Sequence, residues 1–347
     1  MAEKSREKVL IVGPAWVGDM VMSQALYRAL KEINPETHIS VLAQGGLKPL
    51  LERMPEVDEI LQFDLRYGEL KLGKRKRIGE SLRKKNFNKA FILPLSFKSA
   101  LVPWHAQIEE RIGWRGEWRN VLLTDCRTLD KDAYPLMVQR FMSLAYPESD
   151  LPPKAILYPT LLPKSSHMDV EIHGINIEIE GDLLAIYPGA QFAGSKQWPA
   201  DYYAEVVNMV LKNGWRVWVF GSFNDRSVTD SIMEKVDKSL IDRCIDLVGR
   251  TDLAEATDLL VFASVVLSND SGLKHIAAAL EKNVIGRYGS TSYDFTPPLS
   301  DKAELISTDT GCRPCFKREC PFVHLRCLTE IKPERVLGAI ASFNSSA

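Results

Sequence analysis

Short runs of aliphatic and β-branched residues alternate along the chain with longer segments whose apolar positions recur every three to four residues. Val9 to Gly13, His38 to Ala43 and Ala90 to Leu93 read as buried strands, and Met20 to Ile33 reads as the helix after the first of them. Strands covered on both faces show as unbroken apolar runs rather than alternations, so this series predicts a parallel sheet flanked by helices. The series then restarts. Leu183 to Tyr187, Trp215 to Phe220, Cys244 to Val248, Val265 to Ser268 and Val284 to Tyr288 are strand candidates, interleaved with helix candidates at Ala200 to Lys212, Ser227 to Val236 and Leu253 to Ala263. A Pro-rich, irregular stretch from Pro147 to Pro163 marks the approach to a linker. The expectation is an α/β protein of two Rossmann-like domains facing each other across a cleft, residues 1–170 and 171–347. A last helix, about Pro333 to Phe343, has no strand after it and is free to pack on either domain, including back onto the N-terminal one.

Composition adds little beyond excluding classes. With 45% hydrophobic and 26% charged residues the chain can bury two ordinary cores, which rules against disordered or fibrous character. Met1 to Lys8 is charged and leads into only a short apolar stretch, so no signal peptide is expected, and no segment approaches the roughly 18 apolar residues of a membrane span. A cytoplasmic protein is expected. Charge becomes informative once it is divided. Residues 1–160 hold 25 Lys+Arg against 20 Asp+Glu, and the remainder 19 against 25, so a net charge of −1 conceals halves of opposite sign. Much of the basic excess is Lys71, Lys74, Arg75, Lys76, Arg77, Arg83, Lys84 and Lys85, relieved only by Glu80. Such a run is either a solvated helix face or a patch for anionic lipid head groups or a phosphorylated acceptor.

Ligands of open α/β sheets bind outside the carboxyl ends of the strands, which directs attention to strand-to-helix turns. The first is Gly13-Pro14-Ala15-Trp16-Val17-Gly18-Asp19-Met20. It is not a G-x-G-x-x-G fingerprint, which counts against a nicotinamide-dependent oxidoreductase. Asp19 reads as an N-cap, as a general base held ionised by the helix dipole, or as both. The second domain opens with Tyr187-Pro188-Gly189, continues through Gly194-Ser195-Lys196 and reaches Pro199, which suits the first turn of a helix. Lys196 is a solvated surface lysine or a mobile cation for a diphosphate. In Ser268-Asn269-Asp270-Ser271-Gly272-Leu273-Lys274-His275 an apolar strand meets an Ala-rich helix through a polar turn, a ready anion site in which Asp270 can equally be a cap and His275 a satisfied helix histidine. Gly221-Ser222-Phe223-Asn224-Asp225 can set an acid against ribose hydroxyls, and Val248-Gly249 ends a strand where an adenine can lie against backbone.

Of six cysteines, Cys126 and Cys244 are isolated and read as small core residues. Cys312, Cys315, Cys320 and Cys327 crowd one short segment with His324 among them. The spacing is not the paired C-x2-C form of a zinc ribbon, and a reducing cytosol disfavours disulfides, so free thiols in a compact loop are the expectation and a structural zinc the alternative.

The turns as a set resemble a known family. Gly13 to Gln24, Ser96-Phe97-Lys98-Ser99-Ala100-Leu101, Gly113-Trp114-Arg115-Gly116, Trp198-Pro199, Asn269-Asp270-Ser271-Gly272-Leu273-x-His275 and Asp294-Phe295-Thr296-Pro297-Pro298-Leu299-Ser300 are similar to the ADP-heptose:lipopolysaccharide heptosyltransferases of glycosyltransferase family 9, most of all the branch that adds the second heptose. The resemblance runs from about residue 8 to residue 340. It implies an inverting, metal-independent GT-B enzyme that moves L-glycero-D-manno-heptose from ADP-heptose to heptose I of the Kdo-lipid A inner core. It further implies Asp19 as base and Lys196 as the cation at the ADP leaving group. Asp270, Ser271, Gly272, Leu273 and His275 would hold diphosphate and sugar, Asp225 or Asn224 the ribose, and Val248 and Gly249 the adenine. Trp16, Gly18, Lys98, Arg111 and Arg115 become acceptor-binding candidates, since a guanidinium matches carboxylate and phosphate. The implied partners are ADP-heptose, heptosyl-Kdo2-lipid A and the cytoplasmic face of the inner membrane, with peripheral association and no nucleic acid. Family relatives acting on another inner-core acceptor are the nearest alternative.

Overall fold

Six parallel strands form the centre of each half of the chain in the computed structural model, which describes residues 7–65, 68–148, 155–164, 170–172, 175–177, 181–190 and 194–344. The chain divides into two compact units, Met1–Leu162 and Pro163–Ala347, where the sequence reading had divided it after residue 170. Residues 149–154 of the Pro-rich stretch lie outside the described residues.

The N-terminal unit runs β1 (Lys8–Val12), α1 (Val17–Ile33), β2 (His38–Gln44), α2 (Lys48–Leu51), β3 (Glu59–Phe63), α3 (Leu72–Leu82), β4 (Lys89–Ile92), α4 (Phe97–His105), β5 (Glu110–Trp114), β6 (Asp125–Arg127) and α5 (Met137–Met142). Its strand order is β3-β2-β1-β4-β5-β6, with every pairing parallel. Order reverses between β1 and β4, which makes their carboxyl ends the switch point where such sheets bind ligands. Leu10, Val12, Ile92, Ala100 and Leu101 form the heart of the core on one face of the sheet. The returning chain is tied to α1 through the buried Gln24, whose amide donates to the Thr160 carbonyl at 2.7 Å and accepts from the Thr160 N–H at 3.1 Å.

The C-terminal unit runs β7 (Val170–Ile172), β8 (Ile175–Ile177), β9 (Leu183–Tyr187), α6 (Ala200–Lys212), β10 (Arg216–Val219), α7 (Arg226–Met233), β11 (Cys244–Asp246), α8 (Leu253–Leu259), β12 (Val265–Asn269), α9 (Gly272–Ala279), β13 (Asn283–Arg287), β14 (Ala303–Ile306), α10 (Arg326–Thr329) and α11 (Pro333–Asn344). Apart from the antiparallel pair β7-β8, the strand order β11-β10-β9-β12-β13-β14 repeats that of the first unit, with its switch point between β9 and β12. The terminal helix α11 packs on α6 and β13 of its own unit. Val336, Ala339 and Ile340 supply an apolar stripe that completes the second core. Among the described residues, no helix is long and apolar enough to cross a membrane.

Candidate active site

The turn after β1 begins α1 earlier than its apolar periodicity suggests. Trp16 is the N-cap residue, in extended conformation, and Asp19 is the third residue of the helix. Asp19 is therefore not the cap. Its carboxylate still lies in the first turn, where the helix dipole favours negative charge. A cavity of about 690 Å³ opens at this switch point, bordered by the strand exits at Val12, Gln44, Phe63 and Leu93. Trp16, Asp19 and Lys98 line it together. Gly18, Arg111 and Arg115 do not.

The two arginines outside this lining are held differently. Arg111 spends its guanidinium on backbone carbonyls, with Nε donating to Leu122 at 2.7 Å and Nη1 to Ile108, so it fastens β5 to the following loop. Arg115 is exposed, and its backbone N–H bonds the Arg127 carbonyl. The nearby Gly113 to Gly116 motif is a scaffold for the cavity wall. A Cβ on Gly116 would stand 2.2 Å from the Leu95 carbonyl oxygen, so only glycine lets these two turns meet. Behind them the buried Arg119 donates to the carbonyls of Trp114, Ile92 and Pro94, clamping the exits of β4 and β5, and burial brings its guanidinium down to about 10.

Charge type and spacing missed two basic groups that do border the cavity, Arg75 and Arg140. Arg75 belongs to the basic run, yet it is buried and donates to the carbonyls of Leu70, Lys98 and Glu69. The run is thus not one solvated face. Lys76, Arg77, Arg83 and Lys84 are exposed, while Lys74 and Lys85 pair with Asp64 and Glu59.

In the C-terminal unit the switch point is closed by an ion triad. Lys196, at the end of a single 3-10 turn (Gly194–Lys196), donates from Nζ to Asp270 Oδ2 at 2.7 Å, so it is not a solvated surface lysine. Lys274, four residues along from Asp270 and fully buried, takes the other carboxylate oxygen. Burial alone would push the Asp270 carboxyl up, but the Lys274 and Lys196 ammoniums overcome it and hold it well below the usual carboxylate range. Lys274 also meets the Tyr288 hydroxyl at 2.7 Å and the Thr296 carbonyl at 2.9 Å, which brings the Asp294 to Ser300 segment into the triad. Two ammoniums face one carboxylate, leaving a local excess of positive charge.

Ser271, not Asp270, is the N-cap residue of α9, and it forms no side-chain capping bond. Gly272 and Leu273 therefore open the helix with backbone donors suited to an anion. His275 is buried, and burial together with the Lys274 charge holds its imidazole well below the usual histidine range, which keeps it neutral. Pro199 likewise sits one position before the helix it was expected to begin, as the N-cap residue of α6. Residues 191–193 of the loop before Lys196 lie outside the described residues.

Asp225 is buried, and its Oδ2 accepts from the Ser222 N–H at 2.8 Å and hydroxyl at 2.7 Å. A Cβ on Gly189 would lie 2.3 Å from the Asp225 carboxyl, so the carboxylate sits directly beneath the turn after β9. Its neighbour Asn224 is exposed. Val248 is buried, and the Gly249 N–H bonds the Gly221 carbonyl at 3.0 Å, which joins the turns after β10 and β11. Asn269 adds a further tie by donating to the carbonyls of Pro188 and Gly189, while Arg287 Nη2 donates to its oxygen at 3.0 Å.

The family model described as glycosyltransferase family 9 (heptosyltransferase) matches residues 75–326. The chain belongs to glycosyltransferase family 9. It is 42% identical over 344 residues to lipopolysaccharide heptosyltransferase 2 of Salmonella typhimurium, covering 97% of this chain and 99% of that one. It is 42% identical over 316 residues to lipooligosaccharide heptosyltransferase 2 of Haemophilus influenzae, covering 87% and 89%. The solved structure of Escherichia coli ADP-heptose lipopolysaccharide heptosyltransferase II superposes with a TM-score of 0.84 at 37% identity, covering 98% of this chain and 100% of that one. This family 9 chain is thus a glycosyltransferase of GT-B fold, built from two parallel-sheet α/β domains.

Within the family 9 chain the cysteines divide as their spacing suggested. Cys244 is buried and Cys126 packs at the edge of the first core, while Cys312, Cys315, Cys320 and Cys327 gather around one small cavity. All six thiols are free, and among the described residues no three His, Cys, Asp or Glu side chains stand in ligating arrangement about a point.

Proposed function

We propose that the enzyme transfers L-glycero-D-manno-heptose from ADP-heptose to the first heptose of the Kdo-lipid A inner core, with inversion at the anomeric carbon. The observation that carries this reading is the 42% identity to heptosyltransferase 2 of Salmonella typhimurium across nearly the whole of both chains.

In this reading the acceptor hydroxyl attacks the anomeric carbon, the bond from that carbon to the ADP oxygen breaks, and Asp19 takes the hydroxyl proton. The 690 Å³ cavity gives a bulky acceptor room, with Lys98 as the cation for its anionic groups. Negative charge grows on the departing diphosphate. Lys196 and the backbone N–H groups of Gly272 and Leu273 answer that charge, a role in which pre-positioned donors contribute most. Asp270 serves through its lysines, since both of its oxygens are already engaged by them. Asn224 and Asp225 take the ribose edge, and Val248 and Gly249 the adenine. Transfer is assigned no metal ion. The exposed Lys76, Arg77 and Lys84 support docking on the anionic cytoplasmic face of the inner membrane, without insertion.

The deciding experiment pairs mass spectrometry with an assay. Core oligosaccharide from a cell lacking this chain should keep the first heptose and lose the second with everything beyond it, and purified enzyme should restore the second heptose from ADP-heptose. A core that lacks the first heptose as well would overturn the choice of acceptor.

A further inference from the structure

The segment from Thr308 to Leu325 contains no helix or strand, and it leaves Phe316, Phe322 and Val323 at 58%, 62% and 84% exposure. A loop that turns its large apolar side chains outward has no core of its own and needs a cross-link to hold one shape. Its three cysteines gather with Cys327 of α10. Cys312, Cys315, Cys320 and Cys327 line one small cavity of about 10 Å³, close to the volume of a single water or ion. The backbone is shaped around them. Phe316, directly after Cys315, has φ 54°, and Val323 and Leu325, just after Cys320, have φ 61° and 47°, left-handed conformations that L side chains rarely accept without a compensating contact.

We propose that Cys312, Cys315, Cys320 and Cys327 form a tetrathiolate site for one thiophilic divalent ion, zinc or ferrous iron. Binding releases the four thiol protons and forms four metal–sulfur bonds with no change of oxidation state. Among the described residues the four sulfurs border the cavity without standing in ligating arrangement, so binding requires them to close on the ion to bonds of about 2.3 Å. His324 is spent elsewhere, since its Nδ1 accepts from the Arg326 N–H at 3.0 Å and its ring stacks on Phe322, which leaves the cysteines as the ligand set.

The site also has a mechanical consequence that rests on the donor role given to Lys196. The same loop grips the residue next to it. The Ser195 N–H donates to the Arg318 carbonyl at 3.3 Å, its hydroxyl to the Lys317 carbonyl at 2.5 Å, and the Phe316 N–H to the Ser290 carbonyl at 2.8 Å. An ion that fixes this loop fixes the turn carrying Lys196.

Elemental analysis of the full chain, purified without a metal-affinity tag, should find about one zinc or iron per chain, iron being recognised by visible absorption after oxidation and zinc by its lack of colour. Cys315→Ser and Cys320→Ser should each lose the ion and weaken ADP binding, whereas Cys126→Ser should keep both. Because those variants can misfold, the wild-type chain is tested as well, reduced anaerobically, freed of metal and offered one equivalent of zinc. Uptake should shield four of the six thiols from a thiol reagent. If all six stay reactive and no ion is taken up, the site does not exist. Metal content is independent of sugar transfer, so an enzyme with another acceptor would still pass this test, and unchanged ADP binding in ion-free variants would sink the coupling to Lys196 alone.

Discussion

In the N-terminal unit the turn after β1 carries Asp19 and the turn after β4 carries Lys98; in the C-terminal unit the corresponding turns, after β9 and β12, carry Lys196 and Asp270. Acid and cation have exchanged places on one strand order. They are also held differently. Asp19 and Lys98 border a cavity of about 690 Å³ with aromatic and aliphatic walls, whereas Lys196 and Asp270 are locked at 2.7 Å and backed by a third, buried charge. A sheet of this kind fixes where a ligand binds, at the strand order's reversal, and leaves its chemistry to the two turns that flank it. A wide cavity with a carboxylate suits a large nucleophile that must give up a proton. A tight triad with excess positive charge suits a compact dianion.

Removing the charged group from each first turn should separate these roles. Asp19→Asn should lower kcat by about 10²–10⁴-fold while leaving ADP binding by calorimetry unchanged, because a general base acts on the nucleophile and not on the donor. Near-normal turnover in that variant would end its assignment as base. Lys196→Met should lower kcat by about 10²–10³-fold and weaken ADP-heptose binding as well, since the cation meets the diphosphate before and during departure. If both variants lost donor affinity equally, the division of labour between the units would fail.

Much of this layout was legible because buried central strands leave unbroken apolar runs, as at Leu183–Tyr187, which the periodicity delimited residue for residue. Three of the four edge strands were not. Glu59–Phe63, Asp125–Arg127 and Ala303–Ile306 are short and partly exposed, so their polar residues hide the pattern. The helix Phe97–His105 was masked by an internal Pro103. At the candidate site the turns declared themselves through glycine and charge, and the structure brings Lys196 to Asp270. What stayed hidden was how each cation spends its donors. Arg111 and Arg75 look alike in sequence, yet one fastens β5 and the other floors the cavity, a difference set by which carbonyls lie in reach. Lys274 was visible in principle, standing four residues after Asp270 on a helix, but that spacing does not reveal that the pair is buried.

The buried lysine has no counterpart among the residues that border the N-terminal cavity, which gives the comparison a stability test. Lys274→Met leaves Asp270 with Lys196 as its only cation and removes the ammonium that Tyr288 and Thr296 engage. Breaking a buried pair from one side costs about 3–5 kcal/mol, and thermal unfolding should register it as a fall of many degrees in Tm. The isosteric Asp19→Asn should move Tm little. Equal shifts in both variants would mean that the triad is no more a structural element than the open turn.

The smallest effect is a pH dependence confined to the C-terminal switch point. His275 has a folded value below its unfolded value of about 6.5, so the neutral ring's contribution to stability is complete above pH 6.5 and is lost as pH falls towards the folded value. Asp270 is also depressed, but its unfolded value is near 4, so its contribution survives to about pH 4 and disappears only below that. The two windows open at different pH, near 6.5 for His275 and near 4 for Asp270. Between pH 6.5 and 5 the wild-type chain should lose up to about 2 kcal/mol through His275, and His275→Gln should flatten that part of the Tm profile while leaving the steeper acid limb below pH 4 in place. Asp270→Asn should do the reverse. A His275→Gln profile parallel to wild type across pH 5 to 6.5 would show that the imidazole is not held neutral by burial and the Lys274 charge, and with it would go the picture of the second switch point as a dry, positively charged seat.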